Sequence, residues 1–402
     1  MNTKQQNLGF FVIVLSLAIS SCAPSPSFEP TVTPTATITP TATLMPTVTS
    51  TATETPTPIP HFVIEDTPFR FVGAFVSGWI WQDEYWSETV IDDYIASAKA
   101  SGISVFHLQS LVYERRVGDF REKELRKLDY FLDTAAKNGV YVIFPFVHGF
   151  QISMPDFDEA YYHPRGVEGL IKDEKLNQAF KHHIEVLLNR KNTVNGKLYR
   201  EDPTIFGWEV IEDPIQNPIN IPSGELPHVT IQEFHDWLED IASYIKSVDS
   251  RHLVGVMTVS SVDLLTGAHE WTKMFDTPAI DFIEAEDTEL PDLVRLNKPF
   301  FINTTNRYLG SEEEICKDYS KIAAGLRDSF SHDLAGGAEG VGLMFWVSDL
   351  HKEVPVDPCF SFTDSMEPIR VLLQETANMF NTPGYPFPPL DFVNVRQRDV
   401  WW

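Results

Sequence analysis

Three acids stand close together in YREDPTIFGWEVIEDP, residues 199–214. Glu209 lies inside an apolar run, and Glu212 and Asp213 close it just before Pro214. Crowded carboxyls raise one another's pKa, so one can hold a proton as an acid while its neighbour stays ionised as a base or nucleophile. Strand alternation turns Glu209 away from Glu212, which makes Glu209 a structural acid needing a buried partner. Glu212 and Asp213 are the candidates for the proton donor. Further carboxylates that could complete a pair are Glu286, in the acidic run EAEDTEL, and Asp349, in WVSDL. Glu286 also fits a solvated loop, and Glu212 and Asp213 also fit solvated acids at a strand end or groups that bind sugar hydroxyls. His107 and His148 fit either hydrogen-bonding liners of a mouth or proton carriers. Trp79, Trp81 and Trp86 cluster after the first apolar run, as a stacking surface or as local core.

These residues need elements to position them. From Phe71 onward short β-rich runs alternate with segments of helical periodicity. The runs are 71–77, 103–109, 140–147, 204–212, 252–260, 280–286, 298–304 and 341–349. The spacing predicts helices over 87–101, 122–137, 174–190, 230–248, 288–297, 311–330 and 366–380. In the fourth of these, Ile231, Phe234, Trp237, Leu238, Ile241, Tyr244 and Ile245 form one stripe. Thr230 with Glu233 reads as a capping box, and Gly102 and Gly139 stand where C-caps belong. Eight strands alternating with helices predict a parallel α/β fold, a closed (β/α)8 TIM barrel. No Gly-x-Gly-x-x-Gly follows the first strand, which counts against a dinucleotide fold. In such a barrel the strand C-terminal ends carry function. They bring together Trp79, His107, His148, Glu212, Asp213, Glu286, Asn303, Thr304 and Asp349.

The fourth run, DPTIFGWEVIEDP, resembles glycoside hydrolases of family 5, the endo-β-mannanases in particular. Asp202, Pro203, Thr204, Ile205, Trp208, Glu209 and Pro214 match that pattern, and FRFVGAF (69–75) and KNGVYVIFPFV (137–147) resemble the first and third strands. The resemblance implies a retaining (β/α)8 hydrolase of β-linked polysaccharide that needs no cofactor. It places the general acid on Asp213, a shorter residue than the expected Glu, with Glu212 in place of the Asn before it. It places the nucleophile at Asn303 or Thr304 in KPFFINTTN, where neither residue is a carboxylate. The second-strand Arg falls on His107, and Trp346 is kept as the sugar platform. A hydroxyl without a base cannot replace a nucleophile. Hydrolysis therefore needs a rewired pair, about 5–5.5 Å apart for retention or 6.5–9.5 Å for inversion. Asp213 or Glu212 would be the acid, and Glu286 or Asp349 the second carboxyl. Asn303, Thr304, Asp349, His107, His148, Trp79 and Trp346 would then contact sugar. Two further readings stand beside an active mannan- or glucan-type glycanase. One is a carbohydrate-binding barrel that lost its nucleophile, and the other is a purely structural surface protein.

The remaining sequence bears on location and partners. Residues 1–22 combine Lys4, an apolar run over 8–19 and small residues before Cys22. That pattern is a secretory signal, and it resembles a bacterial lipobox with Cys22 as the lipidated residue. Residues 23–60 are Pro/Thr-rich and cannot bury enough apolar surface to order themselves. They read as an extended linker to a single domain over 61–402, expected to be monomeric. The expectation is a lipid-anchored cell-surface protein. A net charge of -26 argues against nucleic acid or anionic lipid as partner. A bond between Cys316 and Cys359 is allowed in an exported chain. No Cys/His spacing of metal type is present.

Overall fold

The computed structural model describes residues 60–76, 78–109, 119–149, 166–212, 214, 229–258, 271–286, 290–304, 317–347 and 361–382. The expected leader, linker and lipobox Cys22 lie outside these residues, as do Cys316 and Cys359. Eight strands form the barrel: β1 (Phe71–Val76), β2 (Val105–Leu108), β3 (Tyr141–Pro145), β4 (Ile205–Glu209), β5 (Leu253–Thr258), β6 (Phe282–Glu286), β7 (Phe300–Thr304) and β8 (Gly340–Val347). Neighbours pair in sequence order, all parallel, and β8 pairs with both β7 and β1. The sheet is therefore closed, with one edge addition: β9 (Ser361–Thr363) lies parallel to β8.

Crossover helices cover the outside: α1 (Glu88–Ala100), α2 (Glu122–Asn138), α3 (Gly166–Lys172), α4 (Glu174–Leu188), α5 (Ile231–Val248), α6 (Leu290–Arg295), α7 (Tyr319–Ala335) and α8 (Glu367–Phe380). Their starts follow local chemistry. Ser87 accepts from the Val90 amide, Asp173 from Lys175, and Thr230 and Glu233 cap each other's backbone. Gly139 ends α2 at φ 62, where a Cβ would be strained. Two helices differ from the prediction. α7 begins at Tyr319, where Asp318 caps it, and continues past the predicted end at 330 to Ala335. The short α3 has no counterpart in the periodicity, because seven residues carry fewer than two full repeats of the apolar pattern.

Alternate residues of the strands divide the apolar side chains into two clusters. Outward residues such as Phe106, Phe144, Trp208 and Ile283 pack with Tyr94, Phe131 and Trp237 of the helices. The inner cluster holds Phe62, Phe71, Val105, Ile143, Phe206, Phe282 and Phe301 and no helix residue. Phe62 closes the N-terminal end of the barrel, its ring 5.2 Å from Phe206 and 5.9 Å from Phe282. A tight antiparallel turn holds it there, with Glu65 and Asp66 both at positive φ. Room for so many rings comes from glycine. A Cβ at Gly207 or Gly255 would run into the Phe282 ring, and one at Gly340 into Phe71. Gly255→Ala is therefore expected to lower unfolding free energy by about 1–3 kcal/mol. Chemical denaturation with the surface variant Lys123→Ala as reference measures this, and equal midpoints would contradict it.

Candidate functional site

The motif of the fourth strand divides into residues that hold the barrel and residues that face its axis. Asp202 accepts from the Thr204 amide and shapes the turn into β4. Trp208 points outward, and its indole donates to Asp249 at 2.7 Å. The His252 imidazole meets the same carboxylate at 2.6 Å and reaches the Asp202 carbonyl at 3.0 Å. Asp249 is buried, which opposes ionisation, yet the hydrogen bonds from His252, Arg251 and Trp208 hold its carboxyl below the usual range. The conspicuous DPTIFGW signature is thus largely a clamp tying β4 to the start of β5.

Glu209 turns the other way, into the barrel, and is fully buried. The partner its burial requires is His107 of β2, whose Nε2 stands 2.7 Å from Glu209 Oε2. The same nitrogen is 3.6 Å from Glu284 Oε2 on β6. Asn303 of β7 donates its amide to Glu284 Oε1. A Cβ at Gly342 of β8 would collide with that Asn303 side chain, so the glycine leaves it room. Phe75 of β1 meets the imidazole edge-on, with centroids 4.3 Å apart. Four strands thus contribute one polar layer, above the phenylalanine plug and below the strand ends. Burial pushes the Glu209 carboxyl up to about 8, partly offset by its hydrogen bond to Glu284. Glu209 therefore keeps its proton at neutral pH. Imidazole and two carboxylates are also a donor set that can hold a metal ion. No Cys/His spacing announces this set, because its members are 102 and 75 residues apart along the chain.

One tier higher, the ends of β3 and β4 come together through a bridge between His148 and Glu212. The Gly149 amide donates to the Glu212 carbonyl at 2.8 Å, and the Glu212 amide to Val147 at 2.9 Å. The side chains lie 3.7 Å apart, His148 Nε2 to Glu212 Oε1. Burial, with the nearby His107, pushes His148 down to about 3. His148 is therefore a neutral imidazole at pH 7, with one ring N–H and one acceptor nitrogen, and not a cationic acid.

The structure thus gathers His107, Asn303, His148 and Glu212 at the C-terminal half of the strands. Glu286 and Thr304 end β6 and β7 on backbone position, and their side chains lie outside the description, as does that of Trp79. Asp213 and Asp349 lie outside the described residues. Trp346 departs from its expected role as a sugar platform. A register shift between Leu343 and Phe345 leaves Phe345 beside the inward Phe75 and sends Trp346 outward. There it is fully buried in the layer shared with the helices, with no face open to a ring. Glu284 was the residue missed by sequence reasoning. Its signal was FIEAE, where two glutamates two apart share one face of a strand.

Comparison with known proteins agrees with the barrel fold. A family model described as "GH family 5 beta-mannosidase-like" matches residues 143–286. Mannan endo-1,4-beta-mannosidase 5 of Arabidopsis thaliana is 27% identical over 217 residues, 48% of this chain and 46% of that protein. Mannan endo-1,4-beta-mannosidase 2 of the same plant is 32% identical over 146 residues, 35% of this chain and 32% of that one. The chain thus spans a third to half of the length of these curated relatives. Among solved structures, the endo-1,4-beta-mannanase of Rhizomucor miehei superposes with a TM-score of 0.60 at 18% identity, covering 81% of this chain and 99% of the other. The endo-beta-1,4-mannanase of Thermotoga petrophila gives 0.54 at 19%, covering 78% and 77%. The chain has a family 5 endo-mannanase-like (β/α)8 fold.

The raised pKa of Glu209 fixes the sign of one pH effect. The folded protein holds this proton more tightly than the unfolded chain does. Stability then falls as pH rises from the ordinary carboxylate range, where the unfolded chain ionises, to about 8, where the folded one does. Glu209→Gln is expected to remove this slope. Denaturant midpoints of both proteins at pH 5 and pH 8 should differ less for the variant, and an unchanged difference would refute the assignment.

Proposed function

We propose that the protein is a glycoside-hydrolase-like barrel acting on O-glycosidic bonds of β-linked polysaccharide, with mannan-type chains as the first substrate class. The observation carrying this reading is the end of β4. Glu212 stands there beside His148, one residue before Asp213, in a mannanase-like barrel whose strand ends are where such folds place chemistry. In this reading Asp213 or Glu212 protonates the leaving oxygen, and a strand-six carboxyl completes the pair. A neutral His148 suits the role, because it leaves a neighbouring carboxyl without a fixed cation that would strip its proton.

A second reading rests on Asn303. An amide, already donated to Glu284, occupies one of the two positions, 303 and 304, where the resemblance expects a nucleophile. That favours a barrel that binds the same glycans without cutting them. Anchoring at the cell surface through Cys22 belongs to both readings.

Incubation with manno- and cello-oligosaccharides, followed by mass spectrometry, separates the two. Hydrolysis predicts product release from mannan-type chains, reduced at least about 100-fold in Asp213→Asn. Retention of the oligosaccharide without products establishes binding, and neither outcome ends the carbohydrate reading. For the anchor, Cys22→Ser expressed in a bacterial host should move the protein from the detergent phase to the aqueous phase. Unchanged partition would remove the lipid anchor.

A further inference from the structure

Within the polar layer of four strands, neither reading above gives a role to the cluster of His107, Glu209 and Glu284. Its imidazole and two carboxylates are 2%, 0% and 0% exposed. Their donor atoms all lie within 4.8 Å of one another. His107 Nε2 is 2.7 Å from Glu209 Oε2 and 3.6 Å from Glu284 Oε2. Donors held about 2.0–2.2 Å from one ion stand roughly 3–3.5 Å apart, so small side-chain adjustments suffice to surround a single cation.

A second observation points the same way. Glu209 Oε1 is fully buried, and no N–H or hydroxyl donor among the described residues reaches it. Without an ion the Glu209 carboxyl keeps its proton and bonds to Glu284; a bound cation would displace that proton and satisfy both carboxylates directly. The surroundings also resemble the outer partners of a metal site, which orient ligands by hydrogen bonding. Asn303 fixes one oxygen of Glu284 and leaves the other turned to His107. Gly342 provides the room for that amide, and Phe75 fixes the imidazole plane.

We propose that His107, Glu209 and Glu284 form a site for one divalent transition-metal ion inside the barrel. One imidazole with two carboxylates and no thiolate suits Mn2+, Fe2+, Co2+ or Zn2+. The ligands come from β2, β4 and β6, so a bound ion would tie strands that do not pair directly. Its role is to secure the barrel interior, because the layer is closed to solvent. Exchange is accordingly slow, and loading accompanies folding.

The test involves no sugar, so its outcome is separate from that of the glycan reading. The full chain is refolded from guanidinium with Mn2+, Zn2+ or no added metal, passed through a desalting column and analysed for metal content and thermal midpoint. The expected result is one ion per chain and a midpoint raised by about 5 °C. Glu284→Gln and Glu209→Gln should each retain at least tenfold less metal, roughly the loss expected for a ligand. Pulsed EPR of the Mn2+ form should show coupling to an imidazole nitrogen, a readout that stands even if a variant does not fold. Substoichiometric metal, an ion retained equally by both variants, or a bound Mn2+ without nitrogen coupling would each overturn the site.

Discussion

Eight parallel strands closed on themselves enclose a volume that side chains alone must fill, and every other feature of this chain follows from how they fill it. The lower part is filled by phenylalanine rings, which fit only because neighbouring strands offer glycine. Gly207 and Gly255 make way for Phe282, and Gly340 for Phe71. Phe62 then seals the end that the strands leave open. This is a dry, tightly determined plug, and it fixes the height at which polar groups can begin.

Above the plug the constraint changes from volume to charge. A carboxylate taken out of water must be paired, protonated or bound to an ion. Glu209 meets that demand with His107 on one side and Glu284 on the other, and burial holds its proton in place up to about 8. Asn303 answers for Glu284 by donating its amide. The tier at the strand ends depends on this layer in turn. His107 lies near enough to disfavour a charged His148, and His148 neighbours Glu212. Electrostatics at the mouth is therefore partly set one tier below it.

The period of the apolar residues made the barrel legible. Strand alternation and helical stripes are local, and Thr230–Glu233 or Gly139 could be placed from neighbours three or four residues away. Glu209 was legible as a residue that needs a buried partner, but not as the partner of His107, because 102 residues separate them and only closure of the sheet brings them together. Trp346 shows a different limit. Its facing depends on a register shift between Leu343 and Phe345, and one irregular residue moves a side chain from one side of a strand to the other. In the run 280–286 only Glu286 stands out at the strand end, although alternation places Glu284 on the same face and deeper.

Two departures from the mannanase pattern look unrelated in sequence and become one change in the barrel. The resemblance expects a fixed cation at residue 107 and a carboxylate at residue 303. The chain has His107 and Asn303, which both contact Glu284. Removing the fixed cation alone would leave the interior with an excess of negative charge, and removing the carboxylate alone would leave an excess of positive charge. Made together, the two exchanges keep the layer near balance. They also shift the available carboxyls from β7 to β6, where Glu284 lies beside Asn303 and Glu286 is in register with it. Adjacent strands are about 4.8 Å apart, so the backbone of Glu286 lies one strand spacing from that of residue 303. For glycosidic chemistry in this barrel β6 thus offers a second carboxyl one strand from the expected position, with Asp349 as the alternative the sequence provides.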